Sequence, residues 1–161
     1  MVDHGRRNFL RGLPRHPPPL RPPWARVEAE FGARCSRCTD CLRACPQHIL
    51  TTGPGGYPTV DFGRGECTFC GACADACQPR ALERNGDHPP WALLAAIGPA
   101  CLPRQGIECR ICGDFCTPRA IRFPPRVGGA AVPEVAADAC TGCGACVAPC
   151  PVAAVTIARP G

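Results

Sequence analysis

Large apolar side chains are scarce in this chain. Leu, Ile, Val and Phe make up 30 of its 161 residues, about 19%, just under the roughly 20% level below which a conventional apolar core is doubtful. Aromatics are few as well, with six Phe, two Trp and one Tyr. That leaves no aromatic–basic stacking surface of the kind that binds nucleic acid, so nucleic acid is set aside as a partner despite a formal charge of +5. No apolar run approaches the roughly 18 residues of a membrane span; the longest, residues 91–97, has seven. There is no phosphate-cradling loop, no dinucleotide fingerprint and no nucleophile paired with a base. An enzyme acting on a small-molecule substrate is therefore not expected, and no catalytic residue is assigned. His4, His16, His48 and His88 stand apart in the sequence and read as surface residues. With 21 Pro and 18 Gly, long regular helices and strands are excluded too.

Export is the next absence. The segment GRRNFLRG, residues 5–12, has the look of a twin-arginine signal. Such a signal needs an apolar stretch next, and LPRHPPPLRPP follows instead, with Arg15, Arg21 and the prolines interrupting it. The expected location is the cytoplasm, with residues 1–23 as a basic, proline-rich tail. A reducing compartment makes thiols metal ligands or redox centres rather than disulfides.

What the chain has is 16 cysteines. They fall in four runs: CSRCTDCLRACP at 35–46, CTFCGACADACQP at 67–79, CLPRQGIECRICGDFCTP at 101–118 and CTGCGACVAPCP at 140–151. The first, second and fourth share the spacing C-x2-C-x2-C-x3-C. Three thiolates on a tight loop can cap one iron–sulfur cubane, and the fourth points along the emerging chain to the cubane of a neighbouring motif, as in two-cluster ferredoxins. Zinc sites space their cysteine pairs by a dozen or more residues around one ion, and a third cysteine within six residues does not fit that plan. Gly71, Gly142 and Gly144 permit φ > 0 and close approach of backbone N–H groups to sulfide. Motif three departs, with the spacing C-x7-C-x2-C-x3-C. Either Cys101 closes a cubane through a wider loop, or it is a spare thiol beside an incomplete cluster. The first is favoured, because Cys109, Cys112 and Cys116 otherwise lack a fourth ligand. Four [4Fe–4S] clusters are expected, each contributing about −2 with its thiolates when oxidised, which would take the holo-protein from +5 to about −3.

The motifs pair. Between the first and second, and again between the third and fourth, lies a short β-prone run, a Gly/Pro turn and a second β-prone run. Residues 49–51 with 59–62, and 120–123 with 131–132, read as hairpins. Each half then wraps two clusters with crossed ligands. Cluster one takes Cys35, Cys38, Cys41 and Cys77, and cluster two Cys67, Cys70, Cys73 and Cys45. Cluster three takes Cys101, Cys109, Cys112 and Cys150, and cluster four Cys140, Cys143, Cys146 and Cys116. Between the halves, HPPWALLAAIGPA has Trp91, Leu94 and Ile97 at helical spacing, with prolines before and Gly98-Pro99 after, and reads as a linker helix. A second short helix is expected over 24–33. The expected class is small α+β, metal-dominated, with two tandem bacterial two-cluster ferredoxin-like units. Its parts are a tail (1–23), a first unit (24–84), a linker helix (85–100) and a second unit (101–161).

The order of segments resembles the NapF family, the ferredoxin-type accessory proteins of periplasmic nitrate reductase systems. The matching text spans nearly the whole chain: Arg6-Arg7, Arg21-Pro22-Pro23-Trp24, motif one, Gly55-Gly56-Tyr57-Pro58, Glu66-Cys67, Trp91, residues 97–102, Glu108-Cys109-Arg110 and the fourth motif. The resemblance implies a cytoplasmic iron–sulfur protein that interacts with the molybdenum-containing catalytic subunit of the nitrate reductase and helps it mature before export. An electron-transfer subunit of another redox complex is the alternative.

Overall fold

The computed structural model describes residues 19–84 and 89–160. The residues expected to form the tail are described only from 19 on, and His4, His16 and His88 lie outside the described residues.

The elements are short, as the Pro and Gly content dictates. Helices α1 (Glu28–Arg34), α2 (Asp40–Ala44), α3 (Ala72–Asp75) and α4 (Ile111–Asp114) each span two turns or fewer. Among the described residues, six strands form three antiparallel pairs: β1 (Leu50–Thr52) with β2 (Pro58–Val60), β3 (Leu94–Ile97) with β6 (Val155–Ala158), and β4 (Ile121–Arg122) with β5 (Glu134–Val135). The first hairpin falls where the sequence places it, in the register Leu50↔Val60. In the second, the return strand is Glu134–Val135 rather than 131–132. Ala130 and Ala131 are buried in the approach to it instead.

Two expected helices are corrected. Residues 91–97 do not form a linker helix; Leu94–Ile97 is the strand β3. Leu93 and Ala95 are buried while Ala96 is exposed, an alternation of period two. Its partner, the β-branched run Val155–Ala158, lies some sixty residues away, and that nonlocal ladder outweighs a helical spacing that any short apolar run can show. The helix expected over 24–33 begins only at Glu28. Trp24 has a left-handed backbone (φ 59°), and Ala25 bridges to Leu82. The two corrections have one cause: in each half, the segment before the first cysteine loop pairs antiparallel with the segment after the last.

One apolar cluster runs through both halves. It contains Phe31, Ile49, Leu50, Phe62, Leu82, Leu93, Ile121, Val155 and Ile157, together with Cys41, Cys73, Cys112 and Cys146. The third cysteine of every motif is thus a core residue.

Candidate metal centres

Each centre begins with a loop whose backbone is forced left-handed at fixed places. In motif one these are Arg37 (φ 62°) and Thr39 (67°), in motif two Phe69 (54°) and Gly71 (85°), and in motif four Gly142 (69°) and Gly144 (82°). All lie two and four residues after the first cysteine. Reversing the chain at both points brings three thiols to one concave side, which an L-residue allows only at a cost. Motif three does this differently. The 3-10 turn Leu102–Gln105 takes up its extra residues, Gly106 (φ 81°) ends that turn, and Cys101 is buried.

The exit from every motif is the same tight turn. The N–H groups of His48, Arg80, Arg119 and Ala153 donate to the carbonyls of Cys45, Cys77, Cys116 and Cys150 at 3.1, 3.0, 2.8 and 3.2 Å. All four donors are left-handed, with φ between 47° and 52°. The turn forms whether proline directly follows the cysteine (Pro46, Pro151) or comes one residue later (Pro79, Pro118). His48 is exposed in this turn and lines neither of the hollows described next.

Two hollows occupy the first half. Cys35, Cys38, Cys41 and Cys77 line one, with Phe31, Leu82 and Pro58 in its wall; it holds about 420 Å³ of empty space, open solvent included. Cys45, Cys67, Cys70 and Cys73 line the other, with Ile49, Leu50 and Trp24, at about 330 Å³. In both, the odd cysteine comes from the other motif. In the second half the thiols act on one another electrostatically. Burial, and then the neighbouring Cys101, Cys109 and Cys150, pushes the Cys112 thiol up to about 11. Burial and Cys143 push Cys146 up to about 12, with Cys112 and Cys116 adding to it. Cys41 and Cys67 are driven to about 11 and Cys73 to about 12, burial leading in each case. Burial also raises Cys101, and Cys150 and Cys109 add to it. Cys101 and Cys112 thus lie within electrostatic reach of shared neighbours, Cys109 and Cys150.

All sixteen cysteines are free thiols. The two groups of four soft sulfur donors that line the hollows of the first half fit iron–sulfur clusters. The raised thiols mean that loading must displace protons. Backbone N–H groups are already aimed at sulfur: Leu82 at Cys77 (3.4 Å), Ala120 at Cys116 (3.2 Å), Ala154 at Cys150 (3.3 Å), Phe69 at Cys67 (3.4 Å) and Ala95 at Cys140 (3.5 Å). Such donors stabilise thiolate and tune a cluster's potential. Sequence reasoning missed them, and it missed the left-handed Arg37, Thr39 and Phe69. Overlaying motifs one and two on motif four, where the equivalent positions are Gly142 and Gly144, would have exposed the latter.

The family described as a 4Fe-4S dicluster domain matches residues 34–81 and again 107–154. The molecule is thus a tandem dicluster iron–sulfur protein, with 4Fe–4S clusters, up to four, as its cofactors. The ferredoxin-type protein NapF of Escherichia coli (strain K12) is 46% identical over 156 residues, 96% of this chain and 94% of that protein. NapF of Haemophilus influenzae is 51% identical over 139 residues, 86% of this chain and 78% of its own. The methylamine utilization ferredoxin-type protein MauM of Methylorubrum extorquens is 36% identical over 148 residues, 81% of this chain and 67% of its own. The chain belongs to the NapF family of ferredoxin-type proteins.

Proposed function

We propose that the chain is a cytoplasmic accessory partner in the maturation of the molybdenum-containing catalytic subunit of periplasmic nitrate reductase, acting before that subunit is exported. The observation that carries this reading is the 46% identity with NapF along nearly the full length of both chains. The fold class we assign is small α+β, with units at 24–84 and 101–161, the second extended backwards to take in β3.

The ligand sets we assign are Cys35, Cys38, Cys41 and Cys77; Cys67, Cys70, Cys73 and Cys45; Cys101, Cys109, Cys112 and Cys150; and Cys140, Cys143, Cys146 and Cys116. The walls of the two hollows and the thiol neighbourhoods support this grouping. Bound clusters supply one-electron chemistry and a store of iron and sulfide. The chain's own part is to hold the thiolates, to donate N–H to their sulfurs, and to keep water away with Phe31, Leu82, Ile49 and Leu50. No residue of the chain is assigned a catalytic role.

The test is a calorimetric titration of holo-protein against the cytoplasmic precursor of the catalytic subunit. Binding is expected to be modest, and deleting residues 2–11, which place Phe9 and Leu10 among Arg6, Arg7 and Arg11, is expected to weaken it with iron content unchanged. Equal binding by both forms would remove that segment from the mechanism. No binding by either would bring forward the second reading, an electron-transfer subunit of another redox complex.

A further inference from the structure

Within each half, two thiol sets adjoin. Helices α2 and α3, which carry Cys41 and Cys73, pack on each other, and Cys112 and Cys146 share the same core cluster. A third contact crosses between the halves, and among the described residues it joins motifs two and four. The Cys67 N–H donates to the Cys143 carbonyl at 2.8 Å. Trp91 packs edge-on against Phe62 (5.8 Å between ring centres) and Phe69 (5.6 Å), and its Nε1–H donates to the Thr141 carbonyl at 3.1 Å. Gly144 presses so closely on the Phe62 ring that it has no room for a Cβ. Three of the nine aromatic residues, Trp91, Phe62 and Phe69, are thus spent on one loop-to-loop contact, in a chain with few to spare.

We propose that this contact is an internal redox junction, so that the four centres form one unbranched series in the order one, two, four, three. The two inner centres meet through Cys67 and Cys143, and centres one and three stand at the ends. The inference rests on the ligand sets proposed above. An electron entering from a low-potential one-electron donor at one end leaves to a one-electron acceptor at the other. Each transfer oxidises one centre and reduces its neighbour, and no bond or proton moves. The contact through the Cys67 amide and the Cys143 carbonyl supplies a short covalent and hydrogen-bonded path between ligands of different centres. Two independent two-cluster units would need no such contact.

The experiment is electron paramagnetic resonance of the full-length holo-protein reduced with dithionite, with microwave power saturation of each signal. In an unbranched series the inner centres have two paramagnetic neighbours and the end centres one, so two relaxation classes are expected, the inner pair being harder to saturate. A single class, the result for two separate pairs, overturns the proposal. Two variants that leave the junction loops intact add a second reading. Cys116→Ala should remove centre four, and with it part of the broadening of centre two; Cys109→Ala should remove centre three and leave centre two unchanged. Equal effects of the two variants on centre two, or no effect of either, overturn the series. Iron counts keep the premises separate. A variant that loses no iron, or loses a centre other than its own, faults the ligand sets, and the relaxation classes of the unaltered protein still decide the junction.

Discussion

Left-handed backbone at Arg37, Thr39, Phe69, His48, Arg80, Arg119 and Ala153 is a cost that the sequence accepts at every cysteine loop. An L-residue there loses roughly 1–2 kcal/mol against its right-handed form, and only the demands of the loop hold it in place. Opposite substitutions should therefore have opposite signs. Ala153 is exposed at φ 47°, so Ala153→Gly removes strain without removing packing. It should raise stability by about 1 kcal/mol at most, since glycine's freedom in the unfolded chain offsets part of the gain. Gly144→Ala should lower it by about 1–3 kcal/mol, because the new methyl meets the Phe62 ring at φ 82°. Thermal loss of the cluster absorbance reads both; a shift of the same sign in the two variants would show that these positions are not strained. None of the non-glycine positions was legible from residue type, because Arg, Thr and Phe carry no signal for this conformation. Gly71, Gly142 and Gly144 were, because glycine does.

At the scale of elements, nearest-neighbour pairings were readable and distant ones were not. The hairpin β1–β2 is closed by a Gly/Pro turn five residues long, and the sequence marks both strands. The strand β3 is specified by β6, far along the chain, and its own seven apolar residues suit a helix as well. Its backbone settles how it is used. The Ala95 N–H is directed at Cys140 Sγ, so the N–H groups of Leu94 and Ala96 face β6. Ala96→Pro should then break the ladder at an exposed residue, lower stability by about 1–3 kcal/mol and loosen the Cys140 loop. Hydrogen exchange of the β6 amides checks this, and unchanged protection there would contradict the pairing. The segment Arg21-Pro22-Pro23-Trp24, noticed in the sequence only as text, also has its reason here. Arg21 forms a two-pronged ion pair with Glu28 and lies over Phe31 and Tyr57, while the Trp24 N–H donates to the Pro90 carbonyl at 2.7 Å and ties the first half to the start of the second.

For the whole molecule, the apolar residues that are buried form a shell around thiols rather than a core of their own. With about 19% Leu, Ile, Val and Phe, that shell cannot offset the conformational entropy of the chain alone. Metal binding is then folding energy, and chelating the iron should abolish cooperative structure; a metal-free form that kept its dispersed amide resonances would contradict this. Cysteine spacing is a local signal, so the sequence made centres legible, up to four of them. It left Cys101 open, because whether a thiol eight residues from its partners returns to them depends on the turn Leu102–Gln105, which no spacing rule supplies. That the chain holds four complete centres is tested most directly by the iron and acid-labile sulfide content of anaerobically reconstituted protein beside Cys101→Ala. About sixteen of each per chain are expected for the unaltered protein, and a loss of one to four irons, confined to one centre, in the variant. A plateau near twelve for the unaltered protein, with Cys101→Ala no different, would contradict it.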